Sequence, residues 1–202
     1  MIDAAIGVRA HMGWVAIAVI VPDSDDFHVL CTGRVATAAP DDQVALEPYH
    51  VAAGYHGLTR ASAPADSKAL LRKGLARQRR TALAGFRTLA RDLEAQGHRI
   101  AAAAVLTGRG RPAGTLARAL GSHPQIHVEE GLAVRAAVVH ALDKLGVTAQ
   151  ACDERSLPAR AAMRLRTSEP DLFAHLKRKA PSRGEGWRKE HQLAALAAFM
   201  AT

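Results

Sequence analysis

Ile2 to Val21 reads IDAAIGVRAHMGWVAIAVIV, and its second half, Trp14 to Val21, is an apolar run of strand length, rich in Val and Ile and bounded by Pro22. An apolar run without polar alternation is the pattern of a strand covered on both faces, and such strands occupy the middle of a sheet. Arg9 and His11 interrupt the first half of the stretch. Polar side chains inside a central strand reach either a functional edge or a buried partner.

The elements that follow decide how such a strand is flanked. Pro22–Asp26 is a short polar turn and Phe27–Ala36 returns as a second strand, an antiparallel hairpin. Thr37–Pro64 holds Pro40, Pro48 and Pro64 with the pairs Tyr49-His50 and Tyr55-His56. It reads as a long loop with a short third strand or a helical turn around Tyr49–Gly54, and loops of that length are usually functional or mobile. Asp66 or Ser67 caps a helix that runs to about Gln96 and stops at Gly97. Leu71, Leu75, Phe86 and Leu93 mark its apolar face, while Lys68, Arg72, Lys73, Arg79, Arg80 and Arg87 mark the other.

Ile100–Thr107 is a second fully apolar strand, followed by Gly108-Arg109-Gly110-Arg111-Pro112, with Pro112 placed to start a helix to Leu120. Ser122–Val128 reads as a His-containing connection with a short strand at Gln125–Val128, and Glu129–Leu145 as a helix ended by Gly146. Val147–Cys152 is a further strand, and two helical pieces, Ser156–Arg166 and Lys189–Met200, flank a basic segment, Lys177–Trp187. The expected architecture is α/β: a mixed sheet, antiparallel hairpin first and parallel strands after, flanked by helices. Residues 1–152 form the core and 153–202 a helical extension packed on it, one domain overall.

Charge narrows the partners. The 202 residues carry a formal charge of +8, which favours an anionic ligand such as nucleic acid or a phosphorylated molecule, although an Arg- and Ala-rich coding bias yields the same excess. Cys31 and Cys152 lack metal-type spacing and read as free thiols in a reducing compartment. No basic leader precedes an apolar region, and no apolar run reaches the roughly 20 residues that span a bilayer, so a cytoplasmic protein without a membrane partner is expected.

Gly7-Val8-Arg9 followed by Gly13-Trp14-Val15-Ala16 resembles the first strand of the Holliday-junction-resolvase branch of the ribonuclease H-like superfamily. The order of elements is similar too, through the strand at Val147–Cys152, the polar exit Asp153-Glu154, Leu157-Pro158 and the Lys-containing last helix. Ser122-His123 through Glu130-Gly131 resembles a segment of a bacterial family without the usual acidic residues. The resemblance implies a ribonuclease H-like fold and, in its usual form, two magnesium ions held by carboxylates on the first strand, after the long helix and near the last helix. Here Arg9 stands at the first of those places, and Thr107-Gly108 with two arginines at the second. A guanidinium-lined site repels Mg²⁺, so an ordinary two-magnesium nuclease is not expected.

Three sets of residues can carry chemistry. In the loop at Arg109, Gly110 and Arg111, free N–H groups and arginine forks suit an anion, and an exposed turn is the alternative. His123, His127 and Glu130, spaced i, i+4, i+7, suit a divalent transition metal if they share a helical face, which Pro124 argues against. His11 and His123 titrate near neutrality and suit acid–base roles, with Glu130 and Lys189 as further catalytic candidates. Arg9 and His50 are candidates for binding the ligand. The leading expectation is nucleic acid or another phosphate-bearing ligand bound in an Arg/His-lined cleft. The alternatives are a divergent metal-dependent nuclease or phosphoester hydrolase, and a homodimeric interaction module without catalysis.

Overall fold

The opening apolar stretch folds as two strands. β1 (Ile2–His11) and β2 (Trp14–Asp23) pair antiparallel with His11 opposite Trp14, which leaves Met12-Gly13 as a tight turn with Gly13 at φ +74°. That positive φ is cheap only for glycine, and it breaks what the hydrophobic pattern presents as one continuous unit. β3 (Asp26–Ala36) returns antiparallel to β2, so the expected hairpin is the second half of a three-stranded meander. The structure, a computed structural model, describes every residue except Gly57, Leu58, Arg109, Ala180, Ser182 and Glu185, and gives only the backbone of His56, Arg60 and Arg183.

Within the expected long loop the helical turn forms as α2 (Pro48–Ala52), and the structure adds a short helix before it, α1 (Gln43–Leu46), and a small hairpin of β4 (Tyr55–His56) with β5 (Thr59–Arg60). The long basic helix α3 (Ser67–Glu94) leads into β6 (His98–Thr107), which runs parallel to β1. α4 (Leu116–Ala119) and α5 (His123–Asp143) precede β7 (Ala149–Asp153), parallel to β6. α6 (Leu157–Arg164), α7 (Glu169–Arg178), the two-residue strand β8 (Arg183–Gly184) and α8 (Lys189–Met200) complete the chain. The sheet order is β7-β6-β1-β2-β3-β8, a mixed sheet flanked by helices, which is the expected fold class.

Local expectations failed in three places. α5 begins at His123, so Gln125–Val128 is helix rather than strand. Pro124 lies in the first turn, where its missing N–H costs nothing. Pro112 starts no helix, because Gly114 turns the chain at φ +78° and α4 begins only at Leu116, where Thr115 accepts a hydrogen bond from the Arg118 N–H. α7 is an additional helix; Ser168 caps it by accepting from the Asp171 N–H, and Lys177 and Arg178 of the basic segment form its last turn.

Each face of the sheet has its own core. Ile6, Val8, Val15, Ile17 and Val105 pack against Phe86 of α3 and Val138 of α5. Ala5, Ala18, Ile20, Ala104 and Leu106 pack against α8, with Leu157 of α6 and Leu172 of α7 beyond it. α8 is buried from His191 to Phe199, the inner helix of that layer. Its alanines let its backbone lie directly on the sheet: a Cβ built on Gly7 would stand 1.7 Å from the Ala194 carbonyl oxygen. Trp187, in the turn before α8, donates its indole N–H to the Leu176 carbonyl at 2.5 Å and anchors that turn to α7. Cys31 and Cys152 are not joined in a disulfide, and no helix among the described residues is long and apolar enough to cross a membrane.

Gly7→Ala is therefore expected to destabilise the protein by about 3 kcal/mol or more, the upper end of the usual cost of overpacking, since backbone rather than a side chain must yield. Urea unfolding midpoints measure this. A wild-type midpoint for the variant would mean that α8 does not rest on β1 at this point.

Candidate functional site

Alternation along β1 places Ala5, Gly7, Arg9 and His11 on the face that α8 covers. α8 crosses at Gly7 and begins with Lys189, so the half-buried Arg9 and His11 lie toward its amino-terminal end, in the region of the pockets lined by Arg34 and Arg188 and by Glu154. The Arg9 guanidinium forks onto Glu154 at the exit of β7, with contacts of 2.9, 3.1 and 3.2 Å. Its Nη1 lies 3.3 Å from His11 Nε2. An arginine can only donate, so Nε2 accepts and the His11 proton sits on Nδ1. Burial, reinforced by Arg9 and Arg34, holds the His11 imidazole below its ordinary range against the opposing pull of Glu190 and Glu154.

The His11 ring stacks on Trp14 at 4.1 Å with the planes 3° apart, and the Arg34 guanidinium lies 4.0 Å from the centre of the same indole. Arg34, Gly186, Arg188 and His191 line a pocket of about 320 Å³ next to it. On the other side of Glu154, Arg135 of α5 is half-buried; burial lowers its pKa and Glu154 opposes the shift. Two magnesium ions do not fit this cleft. The first-strand position is a cation, and that cation already holds the Glu154 carboxylate.

A second constellation lies where α2 meets α5. Because α5 is helical from its first residue, His123, His127 and Glu130 share one face. Glu130 Oε1 accepts from the Tyr49 N–H at 2.8 Å and the His50 N–H at 3.0 Å, capping α2 from outside. The same oxygen lies 3.3 Å from His50 Nδ1. Burial pushes the Glu130 carboxyl up to about 8, against the two N–H donors of His50 and Tyr49 that pull it down. Its Oε2 is buried and has no hydrogen-bond partner among the described residues. His50 is itself held below its ordinary range, by burial first and by His127 and His123 after it, with Glu47 opposing.

Donor atoms of His50, His123 and His127 all lie within 4.8 Å of one another. The geometry thus gathers His50 with His123 and His127, in the place that spacing gives to Glu130, and puts Glu130 behind His50. His50 lies here, away from Arg9. Tyr55 stacks on His123 at 5.0 Å and meets His50 edge-on at 5.7 Å. Between this cluster and His11 is a pocket of about 150 Å³ lined by Leu46, His127, Glu130 and Val134.

The glycine–arginine loop is tied down by carboxylate and amide groups. Glu129 accepts from the Ala113 N–H at 2.6 Å, and Gln125 donates to both Glu129 and the Arg111 carbonyl. Gly110 packs against Val128, where an added Cβ would approach to 2.6 Å. An acidic side chain therefore takes an N–H that an anion would need. Arg111 is exposed, and Arg109 lies outside the described residues. Lys189 is exposed at the start of α8 with no ion pair to a described residue. Arg34 and Arg135 are not marked by any motif and differ in no local way from surface residues; Trp14 and Glu154 stand in the Gly13-Trp14 and Asp153-Glu154 stretches that carry the resemblance, but nothing local assigns either to a site.

With this geometry the molecule can be compared with known proteins. No protein-family profile matches the chain, and no curated protein sequence does. Thermus thermophilus RuvC is similar in structure: TM-score 0.52 and 11% identity, covering 97% of this chain and 91% of that one. The structure of T. thermophilus RuvC in complex with Holliday junction substrate aligns at TM-score 0.51 and 12% identity, covering 98% and 90%. The fold is ribonuclease H-like. RuvC, a Holliday junction resolvase, is thus a structural neighbour over nearly the whole chain.

Removing the Glu130 carboxylate takes the acceptor from two backbone N–H groups and from His50. Glu130→Ala is expected to cost about 2–6 kcal/mol, at roughly 1–3 kcal/mol for each of the two backbone donors left without a partner. Denaturant titration of the variant measures it, and a loss below about 0.5 kcal/mol, the size of an ordinary surface substitution, would show that Glu130 does not hold α2 to α5.

Proposed function

We propose that the protein binds nucleic acid, or another phosphate-bearing ligand, in the cleft at the start of α8. The observation that carries this reading is a chain of contacts, Glu154 to Arg9 to His11 to Trp14 to Arg34, with Arg188 on the pocket that Arg34 lines and Arg135 within the field of Glu154. Four guanidiniums line it, faced by the carboxylates of Glu154 and Glu190. The +8 charge of the chain supports the reading, as does the similar fold of RuvC, one structure of which holds a Holliday junction substrate.

Guanidinium forks match phosphate oxygens in pairs, which a point charge cannot do. Arg34 is held flat by the indole beneath it, so less side-chain freedom is lost when a phosphate arrives. Arg9 is engaged by Glu154 and serves mainly to cancel a carboxylate that would otherwise repel the backbone. Lys68, Arg72, Lys73, Arg79, Arg80 and Arg87 are exposed along α3, on the opposite layer, and add long-range attraction from outside the cleft.

Fluorescence anisotropy with single-stranded, duplex and four-way-junction DNA, and with RNA, tests the proposal as salt is raised between about 50 and 200 mM. Affinity is expected to fall steeply with salt. Arg34→Ala/Arg188→Ala is expected to reduce the slope of log K against log salt by about 2, close to one for each phosphate that an arginine no longer neutralises. No binding at the low-salt end, or an unchanged slope in the double variant, would remove the cleft from consideration.

A further inference from the structure

We propose that His50, His123 and His127 form a binding site for a divalent transition metal ion of the zinc class, with the Glu130 carboxylate as the positioning group behind His50. The site is separate from the cleft and from the carboxylate-held magnesium pair that the resemblance implies.

The donor set selects the metal. Imidazole nitrogen suits Zn²⁺ and its neighbours in the first transition row, whereas Mg²⁺ and Ca²⁺ call for oxygen. The three rings meet edge to face rather than in a stack, at interplanar angles of 79°, 65° and 64°, with a donor atom of each near the other two. At zinc–nitrogen distances of about 2.0–2.1 Å, tetrahedral ligands stand about 3.3 Å apart. The donor atoms here lie within 4.8 Å, and the half-buried His123 and the exposed His127 are the two whose rings have room to turn toward a shared ion.

Glu130 supplies the second, independent observation. His50 is buried, and the contact of its Nδ1 with Glu130 Oε1 directs the ring proton to the carboxylate and leaves Nε2 as the metal-facing atom. A carboxylate that fixes the tautomer of a ligating histidine is a common support of such sites. Glu130 is itself 5% exposed, and its remaining oxygen has no partner among the described residues, although it borders the pocket that His127 also lines. Packing alone does not account for a buried carboxylate with one oxygen unused beside three imidazoles, because burying an unpaired polar atom is costly. With three protein ligands and an exposed side at His127, the ion would keep one position open to water or to an anionic ligand, as catalytic rather than purely structural sites do.

The test uses untagged full-length protein stripped with chelator and titrated with Zn²⁺ by calorimetry, with thermal melting as a second readout. One equivalent is expected to bind and to raise the melting temperature, since an ion that prefers the folded state stabilises it. His127→Ala removes an exposed ligand without opening the core, and is expected to weaken binding at least about 100-fold and to abolish the thermal shift. Glu130→Gln, which keeps the shape of the side chain, is expected to weaken binding about 10–100-fold. Arg34→Ala/Arg188→Ala should bind zinc as the wild type does, so failure here and failure of nucleic-acid binding are separable. Absence of stoichiometric zinc in the wild type, or undiminished binding in His127→Ala, would overturn the proposal.

Discussion

The absence of a side chain at Gly7 lets the backbone of α8 rest on β1, with the Ala194 carbonyl where a Cβ would otherwise be. Everything on that face follows from this approach. It draws a helix buried from His191 to Phe199 onto the sheet, and its covering layer of α6 and α7 packs over it. It also sets where α8 ends relative to β1. Two and four residues further along β1, toward the amino-terminal end of the helix, the half-buried Arg9 and His11 take the place of small side chains. Close packing thus puts small residues under the helix and larger polar ones toward its amino-terminal end.

Around Arg9 the local electrostatics rest on one ion pair. Arg9 and Glu154, 145 residues apart, neutralise each other in a fork that leaves neither free for a hard cation. A partly exposed pair of this kind adds little net stability, so its main consequence is local charge. With Glu154 held by Arg9, the His11–Trp14 stack has Arg34 on the indole and Arg188 on the adjoining pocket, faced by Glu190. On the other side of the β1–β2 turn the roles are reversed. There a single buried carboxylate, Glu130, organises its neighbours by accepting the first N–H groups of α2 and orienting His50. One glutamate is an ion-pair partner and the other a cap, and burial separates the two: Glu154 is about a third exposed, Glu130 hardly at all.

Much of this was legible in the residues, but unevenly. The apolar strands at Trp14–Val21 and Ile100–Thr107, the basic helix from Ser67 and the last helix from Lys189 all form within a few residues of where periodicity and caps place them. Misreadings cluster at prolines and glycines. Pro124 reads as a break but opens α5, Pro112 reads as a start but opens nothing, and Gly13 turns an apparently continuous stretch into two strands. In each case the residue's local preference allows both outcomes, and neighbours in space choose between them.

The sequence by itself determined the periodicities, the caps and the charge: an α/β chain with strands buried on both faces, a cationic surplus, and an arginine inside the first strand. Those properties depend on residues within a turn or two of each other. Only the tertiary structure decided that Arg9 would meet Glu154, that Trp14 would lie between His11 and Arg34, and that His50 would join His123 and His127 with Glu130 behind it. Such contacts join residues that the chain separates by as many as 145 positions. They arise because the parallel pairing of β6 with β1 and β7, and the packing of α2 against α5, bring distant elements to one edge of the sheet. No local pattern encodes that arrangement, because the free energy that selects it comes from burying both faces of the sheet at once.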